Sequence, residues 1–594
     1  MVKTMNPKEI EFLNRFTQKM AQVHQNPNQS IGIRIEQLTK EKPKDIALYF
    51  QDNSWTWQDF NEESNRIANY FLNLGLKHHD TVAIMLENSP EYLFFATGIN
   101  KIQGISALIN VNQKKQALTH AFNIVEPKWI IIDGDSLSSF NEIVDKLPHN
   151  NEQIFVVNNA QNIKHDFIEL PKELELVSKN NPNTTFNSFV RETVYYMFTS
   201  GTTGLPKAVI MQGFKLYTQG YILGFALAQV DSHDIVYIAM PLYHNVPIGI
   251  AWMTAILAGA ATALRKRFSA SEFWKDVQKY QATFVTYVGE MPRYLLNQPP
   301  SEYEMIQKQK KTLKKMLGLG LRKEIWEQFQ SRFQIEHIYE FYGLTEGHRS
   351  LYNVEEVPGM IGRNNQGGLE LAKVNPETGE LYKNERGFCV KCKLGDIGMA
   401  LIKIDKKTFF TGYKDIEKTQ KRILHNVFKK NDKFFNTSDM LKLHEDLWVS
   451  FADRYGDTFR WKGENVSTLE IEAILNSYKA IYMSAVYGVG ISNTEGKAGM
   501  AAINLNPSIN FEIDDFSRFV VEVLPSYSIP RFFRFCDELE TTGPEKIKKT
   551  DLRKEAYNIE IIKDPLFFWD SKKKQYMTLN NSVYQKIKEG KIKF

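Results

Sequence analysis

The chain has 594 residues, of which 43% are hydrophobic and 24% are charged. This balance is typical of a globular protein with a sizeable core, and it argues against wholesale disorder. The formal net charge of +5 is too small for this length to predict nucleic-acid binding. The sparse cysteines, Cys389, Cys392 and Cys536, favour a reducing, cytoplasmic location without a disulfide framework. The lone CxxC pair lacks the further ligands of a closed zinc site.

Short β-rich runs alternate with helical stretches through the first third of the chain. We predict strands over residues 45–50, 81–86, 106–108 and 129–132, and helices over residues 57–74, 90–100 and 116–124. The stretch 150–187 is polar and irregular, which predicts a surface connection, and a second alternating series covers residues 194–341. Alternation of this kind predicts an α/β fold with parallel sheets flanked by helices.

One segment, residues 246–264, contains no charged residue and has a marginal length for a membrane span. Its Pro247, Gly249 and Gly259, together with many alanines, favour a buried helix that runs into a buried strand. Residues 1–25 lack the apolar core of a signal peptide. The lysine-rich stretches 308–315 and 572–594 are typical of solvated surface, with peripheral contact to an anionic membrane as the alternative.

The second half of the chain changes character. Residues 387–450 contain short runs and many turns, which predicts a β-rich subdomain, and the polar break Asp-Arg-Tyr-Gly-Asp follows at residues 453–457. We therefore predict a large N-terminal domain over residues 1–455, made of parallel αβ sheets plus the β-rich subdomain. A small αβ C-terminal domain is predicted over residues 456–594.

The strongest local signal is the run Thr-Ser-Gly-Thr-Thr-Gly-Leu-Pro-Lys at residues 199–207, which follows a short apolar strand. Glycines allow backbone N–H groups to approach phosphates closely, and hydroxyl groups add donors or ligate a cation. The lysine supplies positive charge. The run is not a Walker-type P-loop because Gly-Lys-Ser/Thr is absent. It predicts a phosphate-binding loop.

Further motifs follow in a familiar order: Glu-Phe-Tyr-Gly-Leu-Thr-Glu at 340–346, Asn-Thr-Ser-Asp at 436–439, Asp-Arg at 453–454 and Thr-Thr-Gly-Pro-Glu-Lys at 541–546. With this set the chain resembles the acyl-adenylate-forming superfamily. The run Gly-Asp-Thr-Phe-Arg-Trp-Lys-Gly-Glu-Asn-Val-Ser-Thr at 456–468 is similar to one branch, the very-long-chain acyl-CoA synthetases or fatty acid transport proteins. The resemblance extends from about residue 33 to the C-terminus.

The resemblance implies a role for each matching residue. The ATP phosphates would be handled by Thr199, Ser200, Gly201, Thr202, Thr203, Gly204 and Lys207. Magnesium would be held by Thr202 and Glu346, whose oxygens are suitable hard ligands. The adenine side would be formed by Gly318, Gly320, Tyr342, Gly343 and Thr345, and the ribose side by Asp439 and Arg454.

Three further roles are implied by the same resemblance. Lys546 would be the catalytic lysine of adenylation, alongside Glu346 and Thr202, although Lys548 or Lys549 could substitute for it. Gly456 would be the hinge of a mobile C-terminal domain. His244 would lie beside the acyl pocket, with a purely structural histidine as the alternative.

The implied reaction is ATP-dependent activation of a long- or very-long-chain fatty acid to acyl-AMP, followed by transfer to coenzyme A. ATP, Mg²⁺ and coenzyme A are the expected cofactors and co-substrate. A fatty acyl-AMP ligase with another acceptor, or an uptake protein coupled to or independent of ligase activity, are the alternatives. Ser438 and the pair Pro544-Glu545 depart from the usual pattern. The sequence leaves chain length and oligomeric state open, a homodimer included.

Overall fold

The computed structural model describes residues 5–159, 163–199, 205–289, 291–347, 349–375, 379–405, 410–454, 459–461, 464–491, 497–542, 546–592 and 594. The chain divides into two compact units. The first unit contains residues 1–321, 327–357 and 408–421, and the second contains residues 322–326, 358–407 and 422–594. The predicted domain boundary at residues 455 and 456 falls outside the described residues and stays a prediction.

The first unit contains two large sheets. Its described strands are, in chain order, β1 (Ile46–Phe50), β2 (Asn53–Thr56), β3 (Thr81–Met85), β4 (Ile105–Leu108), β5 (Trp129–Asp133), β6 (Ile154–Val157), β7 (Ile168–Glu169), β8 (Thr193–Thr199), β9 (Lys207–Gln212), β10 (Ile235–Ile238), β11 (Ala261–Leu264), β12 (Phe284–Val288), β13 (Lys315–Leu319), β14 (His337–Tyr342) and β15 (Leu351–Tyr352). Among the described residues one sheet has the order β7-β6-β5-β3-β4-β8-β9 and the other β15-β14-β13-β12-β10-β11-β1-β2.

Most neighbouring strands in both sheets are parallel. The antiparallel pairs recorded in the first unit are β8 with β9, β1 with β2 and β14 with β15, at the edges of the sheets. Every residue of β3 and β5 is buried, as expected for parallel strands that are covered on both faces. The predicted α/β fold is confirmed.

Helices up to residue 420 are α1 (Pro7–Gln25), α2 (Ile31–Glu41), α3 (Trp57–Asn73), α4 (Pro90–Lys101), α5 (Lys115–Val125), α6 (Leu137–Asn141), α7 (Leu170–Leu174), α8 (Gly213–Gln219), α9 (Met253–Ala258), α10 (Phe273–Tyr280), α11 (Met291–Leu296), α12 (Glu302–Lys310), α13 (Lys323–Phe333) and α14 (Ile416–Gln420). Their starts follow local chemistry. Thr56 caps α3 in a reciprocal capping box with Asp59, and Ser89 caps α4 just before Pro90. Within the described chain, no helix has both the length and the apolar character needed to cross a bilayer.

Two π-helices interrupt the α-helical pattern. The first π-helix spans Gly220–Leu227 directly after α8, and the second spans Asn245–Trp252 directly before α9. The second π-helix, α9 and β11 together occupy the uncharged segment 246–264, and most of their residues are buried. The predicted buried helix followed by a buried strand is therefore confirmed, with π geometry in its first part.

One sequence expectation is wrong in the first unit. Residues 150–187 were expected to form an irregular surface connection, but β6 and β7 extend the sheet beyond β5. The reason is the short apolar run of β6, Ile154–Val157, all four residues of which are buried. Four apolar residues within a polar stretch are a weak signal by themselves, and only pairing with β5 reveals them as a strand.

The second unit is β-rich at its start and αβ towards its end. Its described strands are β16 (Gly362–Arg363), β17 (Leu369–Ala372), β18 (Ile397–Lys403), β19 (Ile423–His425), β20 (Lys433–Leu443), β21 (Trp448–Arg454), β22 (Phe459–Trp461), β23 (Glu464–Val466), β24 (Ile481–Gly490), β25 (Lys497–Leu505), β26 (Phe532–Phe535), β27 (Thr541–Thr542), β28 (Lys546–Ile547), β29 (Leu566–Asp570) and β30 (Gln575–Thr578). Its helices are α15 (Thr468–Leu475), α16 (Ile513–Val523), α17 (Lys549–Glu555) and α18 (Asn581–Lys588).

These strands form two principal sheets. The order β16-β21-β20-β18-β17, with β19 beside β20, corresponds to the predicted β-rich subdomain. The order β24-β25-β26-β29-β30 forms the sheet of the αβ part, and β22 with β23 and β27 with β28 are hairpins.

Candidate active site

The predicted phosphate loop connects two antiparallel strands of the first unit. Thr199, the last residue of β8, lies directly opposite Lys207, the first residue of β9. The sheet therefore fixes Thr199 and Lys207, the two ends of the predicted loop, opposite each other. Ser200, Gly201, Thr202, Thr203 and Gly204 lie outside the described residues, so their roles stay predictions.

The predicted adenine residues lie at the carboxyl ends of neighbouring parallel strands. In the register of β13 and β14, Gly318 is opposite Glu340, and Tyr342 is the last residue of β14. A Cβ built on Gly318 would lie 2.2 Å from the backbone oxygen of Tyr287 on β12. Gly320 has φ +90°, a conformation that favours glycine. Both glycines are therefore required by the local backbone, at the sheet edge where α/β proteins bind ligands.

Glu340 fixes this edge from inside the sheet. Its two carboxyl oxygens accept hydrogen bonds from the backbone N–H of Gly320 at 3.0 Å and of Leu321 at 2.8 Å, and from the hydroxyl of Tyr287 at 2.7 Å. Burial raises the pKa of Glu340 to about 8, against the opposing effect of these hydrogen bonds. The glycine loop after β13 is thereby tied to the strand that carries Tyr342. Sequence reasoning gave Glu340 no role of its own.

The predicted metal ligand Glu346 belongs to a buried cluster. The Tyr413 hydroxyl donates to Glu346 Oε1 at 2.8 Å, and Lys207 Nζ lies 5.2 Å from the centre of the Tyr413 ring. Both Glu346 and Tyr413 are buried. Tyr413 therefore contacts two predicted site residues, Lys207 and Glu346, that are 139 positions apart in the sequence.

Lys215 supports the same loop from α8. Its Nζ donates to the backbone oxygen of Gly347 at 2.6 Å and to that of Thr345. Burial lowers the pKa of Lys215 to about 8, while the negative charge of Glu346 acts in the opposite direction. Neither Lys215 nor Tyr413 was singled out from the sequence. An isolated basic residue and an isolated aromatic residue after Gly412 gave no periodic or motif signal.

The predicted ribose residues belong to the second unit. Asp439 on β20 and Arg454 on β21 are direct partners in the antiparallel register. Asp439 is buried, and its backbone N–H donates to the Thr437 hydroxyl at 3.0 Å. Ser438, the departure from the family pattern, has φ +63° and accepts a hydrogen bond from Arg422. A serine thus adopts a backbone conformation in which glycine is usual.

The lysines near the C-terminus have different environments. Lys549 Nζ contacts Glu472 Oε1 at 2.6 Å and the Thr468 hydroxyl at 2.9 Å, with the carboxylate of Glu472 almost fully buried. Arg322 pairs with the other carboxylate oxygen of Glu472 at 3.2 Å.

Lys548 lies 2.5 Å from Asp551 and 3.3 Å from Glu540. Lys546 lies on β28, opposite Thr542 in the hairpin.

His244 immediately precedes the second π-helix. Burial lowers its pKa to about 4, so the imidazole is neutral at physiological pH. Its Nε2 is enclosed and has no hydrogen-bond partner among the described residues. A neutral ring packed against Tyr243, with a ring separation of 4.5 Å, is suited to packing or gating and less to proton transfer. The hinge residue Gly456 lies outside the described part of the chain.

Two family models match this chain. Residues 35–388 match the model described as AMP-binding enzyme, and residues 470–546 match the AMP-binding enzyme C-terminal domain. The chain belongs to the AMP-binding enzyme family. The region matched by the first model contains the sequence run 199–207, Tyr342 and Glu346, and the region matched by the second ends at Lys546.

Sequence similarity to individual proteins supports this assignment. The chain is 34% identical over 564 residues to long-chain fatty acid transport protein 6 of Mus musculus, covering 93% of this chain and 90% of that protein. It is 32% identical over 542 residues to the medium/long-chain-fatty-acid–CoA ligase FadD6 of Mycobacterium tuberculosis (strain ATCC 25618 / H37Rv), covering 91% and 88%. The branch of the family is therefore that of AMP-forming acyl-CoA ligases and fatty acid transport proteins, as the sequence motifs indicated.

A solved structure shares the fold. The anthranilate CoA ligase AuaEII, crystallised in complex with anthranoyl-AMP, superposes with a TM-score of 0.75 at 20% identity, covering 90% of this chain and 99% of that chain. The shared architecture includes both units of the present chain.

Proposed function

We propose that this protein activates long- or very-long-chain fatty acids: the carboxylate oxygen attacks the α-phosphorus of ATP as pyrophosphate leaves, and the thiol of coenzyme A then displaces AMP from the acyl-AMP to give the acyl-CoA thioester. A single observation carries the proposal. In a member of the AMP-binding enzyme family, Tyr413 contacts both Lys207 at the end of the predicted phosphate loop and the carboxylate of Glu346. A cation and a carboxylate in one place are what binding of metal-complexed phosphates requires.

The residues fit ATP and Mg²⁺ as far as they are described. Glu346 offers a hard oxygen ligand, and Tyr413 occupies only one of its two carboxylate oxygens. Gly318 has no room for a side chain because Tyr287 packs against it, and adenine would lie near this end of β13, beside Tyr342. Asp439 would accept hydrogen bonds from the ribose hydroxyls, and Thr202 would complete the metal site.

Thioester formation requires prior activation of the fatty acid, because a free carboxylate does not react with a thiol. Adenylation converts the carboxylate oxygen into a good leaving group. The chain's own residues have to align the carboxylate oxygen with the α-phosphorus and to neutralise charge on the phosphates. Lys207 serves the phosphates, and Mg²⁺ would neutralise the charge that remains.

Lys546 is the proposed catalytic lysine of the first step. Lys549, one of the three lysines that the sequence left open, pairs with the buried Glu472, whereas Lys548 forms exposed ion pairs with Asp551 and Glu540. A lysine bound to a buried carboxylate cannot leave without a large cost. This pairing favours Lys546 over Lys549. A change of orientation of residues 456–594 about Gly456 would then admit coenzyme A.

The acyl chain would lie along the apolar stretches 217–228 and 246–264, which contain both π-helices. Each buried CH₂ contributes about 0.8 kcal/mol, so a long chain gains affinity from such a surface. His244, neutral and enclosed, would bound this pocket at its polar end. Peripheral contact with a membrane, where fatty acids partition, and a cytoplasmic location belong to the same proposal.

The test is ATP–pyrophosphate exchange with a panel of acids, with and without coenzyme A. We expect exchange with long-chain acids in the absence of coenzyme A, and thioester formation only when it is present. Absence of exchange with every fatty acid would overturn the proposal. Exchange without any thioester would favour a fatty acyl-AMP ligase that uses another acceptor.

The uptake alternative needs a separate experiment in cells. Lys546→Ala is expected to abolish both ligase activity and fatty acid uptake if uptake is driven by activation. Uptake that persists in this variant while ligase activity is lost would favour transport independent of catalysis.

A further inference from the structure

We propose that Tyr413 is a positioning residue for the metal site: its hydroxyl holds Glu346 Oε1, so that Oε2 would be presented to a magnesium ion bound with ATP. The inference rests on the proposed function, because it gives Glu346 its role as metal ligand. Tyr413 itself touches neither metal nor nucleotide in this proposal. It acts through Glu346.

The backbone around Tyr413 is fixed to the strand that follows the phosphate loop. Lys414 N donates to Ala208 O at 2.8 Å, and Ile210 N donates to Gly412 O at 3.2 Å. Between them, Val209 and Tyr413 form an antiparallel bridge. The segment 411–414 therefore pairs with the edge of β9, and these bonds fix the position of Tyr413 relative to that strand.

Further contacts fix the start of this segment. The Thr411 hydroxyl donates to Ile210 O at 2.9 Å, and Tyr413 N donates to the Thr419 hydroxyl at 2.9 Å. Gly412 has φ +70°, and a Cβ there would lie 2.6 Å from Thr419 Cγ2. Glycine is thus needed at this position for both conformation and space. The chain holds Tyr413 in one place by backbone and side-chain contacts.

The side chain of Tyr413 has two functions that can be separated. Its ring lies under Lys207 Nζ at 5.2 Å, a distance at which a cation is attracted to the ring face. Its hydroxyl donates to Glu346 Oε1 at 2.8 Å. One side chain therefore links the cation of the phosphate loop to the carboxylate of the predicted metal site.

Lys215 fixes the Glu346 backbone from another direction. The carbonyl oxygens of Thr345 and Gly347, on either side of Glu346, both accept from its Nζ. With the backbone held by Lys215, the remaining freedom of Glu346 is the rotation of its own side chain. The Tyr413 hydroxyl removes that freedom, and partners that orient a ligating carboxylate typically contribute about 10- to 100-fold to metal affinity.

The test compares Tyr413→Phe with wild type and with a matched control, Tyr576→Phe. Phenylalanine retains the ring under Lys207 and removes only the hydroxyl. Tyr576 is also buried, and its hydroxyl donates to Pro530 O at 2.8 Å in the second unit, so this control loses a comparable hydrogen bond far along the chain from Glu346.

Two constants are measured. The first is the dissociation constant of Mn²⁺ in the presence of ATP, determined by electron paramagnetic resonance, and the second is the Mg²⁺ concentration that half-saturates pyrophosphate exchange. For Tyr413→Phe we expect both constants to rise by about tenfold or more, with exchange recovered at high Mg²⁺. For Tyr576→Phe we expect both to equal those of wild type.

Unchanged metal constants in Tyr413→Phe would overturn the inference. So would a loss of exchange at every Mg²⁺ concentration with unchanged Mn²⁺ binding, because the hydroxyl would then act elsewhere. If Tyr413→Phe does not fold, Glu346→Gln provides the second measurement: it must weaken Mn²⁺ binding at least as strongly as expected for Tyr413→Phe, and normal Mn²⁺ binding in it contradicts the inference. Failure of the proposed function is distinct, since wild type itself would then show no exchange.

Discussion

Glu340 is a carboxyl group in the interior of a sheet, and its environment consists of donors. The N–H groups of Gly320 and Leu321 and the hydroxyl of Tyr287 all point to its two oxygens. The loop after β13 therefore has its conformation fixed by one side chain from β14. Since burial raises the pKa of Glu340 to about 8 from an ordinary value of 4.5, this single residue makes the stability of the first unit depend on pH.

The sign of that dependence follows from proton linkage. Between about pH 4.5 and pH 8 the folded protein retains a proton that the unfolded chain has released. The stabilisation is full below pH 4.5 and is lost as pH rises through about 8. We expect the melting temperature of wild type to fall relative to that of Glu340→Gln as the pH rises from 5 to 9. A difference in melting temperature that does not vary with pH, measured by calorimetry, would contradict this.

At the residue scale, the site residues that belong to short sequence motifs could be predicted from the sequence. Gly318 and Gly320 were expected on the adenine side of the site. Gly318 lies within β13, where the close approach to Tyr287 leaves no room for a Cβ, and Gly320 follows the strand with φ +90°. Tyr413 and Lys215 could not be found in this way, because their roles depend on which distant segments come together. Likewise, the pairing of Lys549 with Glu472 is invisible in a run of neighbouring lysines.

At the scale of elements, the two π-helices are the unusual feature. π-Helical stretches longer than one turn are rare and often mark functional sites. A Cβ built on Gly224, in the first π-helix, would lie 2.1 Å from the hydroxyl oxygen of Thr254 on α9, and a Cβ built on Gly249, in the second, would lie 2.1 Å from Asn245 Oδ1. Asn245 lies in the same π-helix as Gly249, so that contact is internal, whereas Gly224 allows the first π-helix to approach α9 closely at the proposed acyl pocket.

Gly224→Ala tests this close approach. We expect destabilisation by about 1–3 kcal/mol, because the added methyl overlaps Thr254 and the elements have to separate. Activity with long-chain acids should fall more than activity with short-chain acids if this region lines the pocket. Calorimetry and exchange assays with acids of two lengths measure the two effects.

The control for this prediction is the double variant Gly224→Ala with Thr254→Ala, which removes the overlapping hydroxyl and methyl groups. It should recover part of the lost stability. If Gly224→Ala is as stable as wild type, the close approach does not restrict the side chain at this position. The same follows if the destabilisation of the double variant exceeds the summed destabilisations of the two single variants.

The elements themselves were largely predictable. The strands and helices that were predicted between residues 45 and 132 agree with the structure to within one or two residues at their ends, because apolar periodicity and caps such as Thr56 and Ser89 are local signals. The sequence analysis did not predict α1, α2 or β2. The π geometry of 220–227 and 245–252 was not predictable, since an apolar run has the same composition in either helix type. β6 was missed because its strand character depends on pairing with β5.

At the scale of the whole molecule, the chain combines a unit of two mainly parallel sheets with a unit that begins β-rich and ends αβ. The first unit contains Lys207, Tyr342 and Glu346, and the second contains Asp439, Arg454 and Lys546. We therefore propose that residues of the first unit bind the phosphates and the metal and that the second unit supplies the lysine of the first chemical step.

The role of Lys546 in the first chemical step is tested most directly by one measurement. Palmitoyl-AMP and palmitoyl-CoA are quantified by mass spectrometry for wild type, Lys546→Ala and Lys548→Ala. With palmitate, ATP and Mg²⁺, we expect Lys546→Ala to form palmitoyl-AMP at least about a hundredfold more slowly than wild type. Lys548→Ala should match wild type.

Supplied with preformed palmitoyl-AMP and coenzyme A, Lys546→Ala should produce palmitoyl-CoA at a rate close to that of wild type. Formation of palmitoyl-AMP by Lys546→Ala at the wild-type rate, or its absence in wild type itself, would contradict the account.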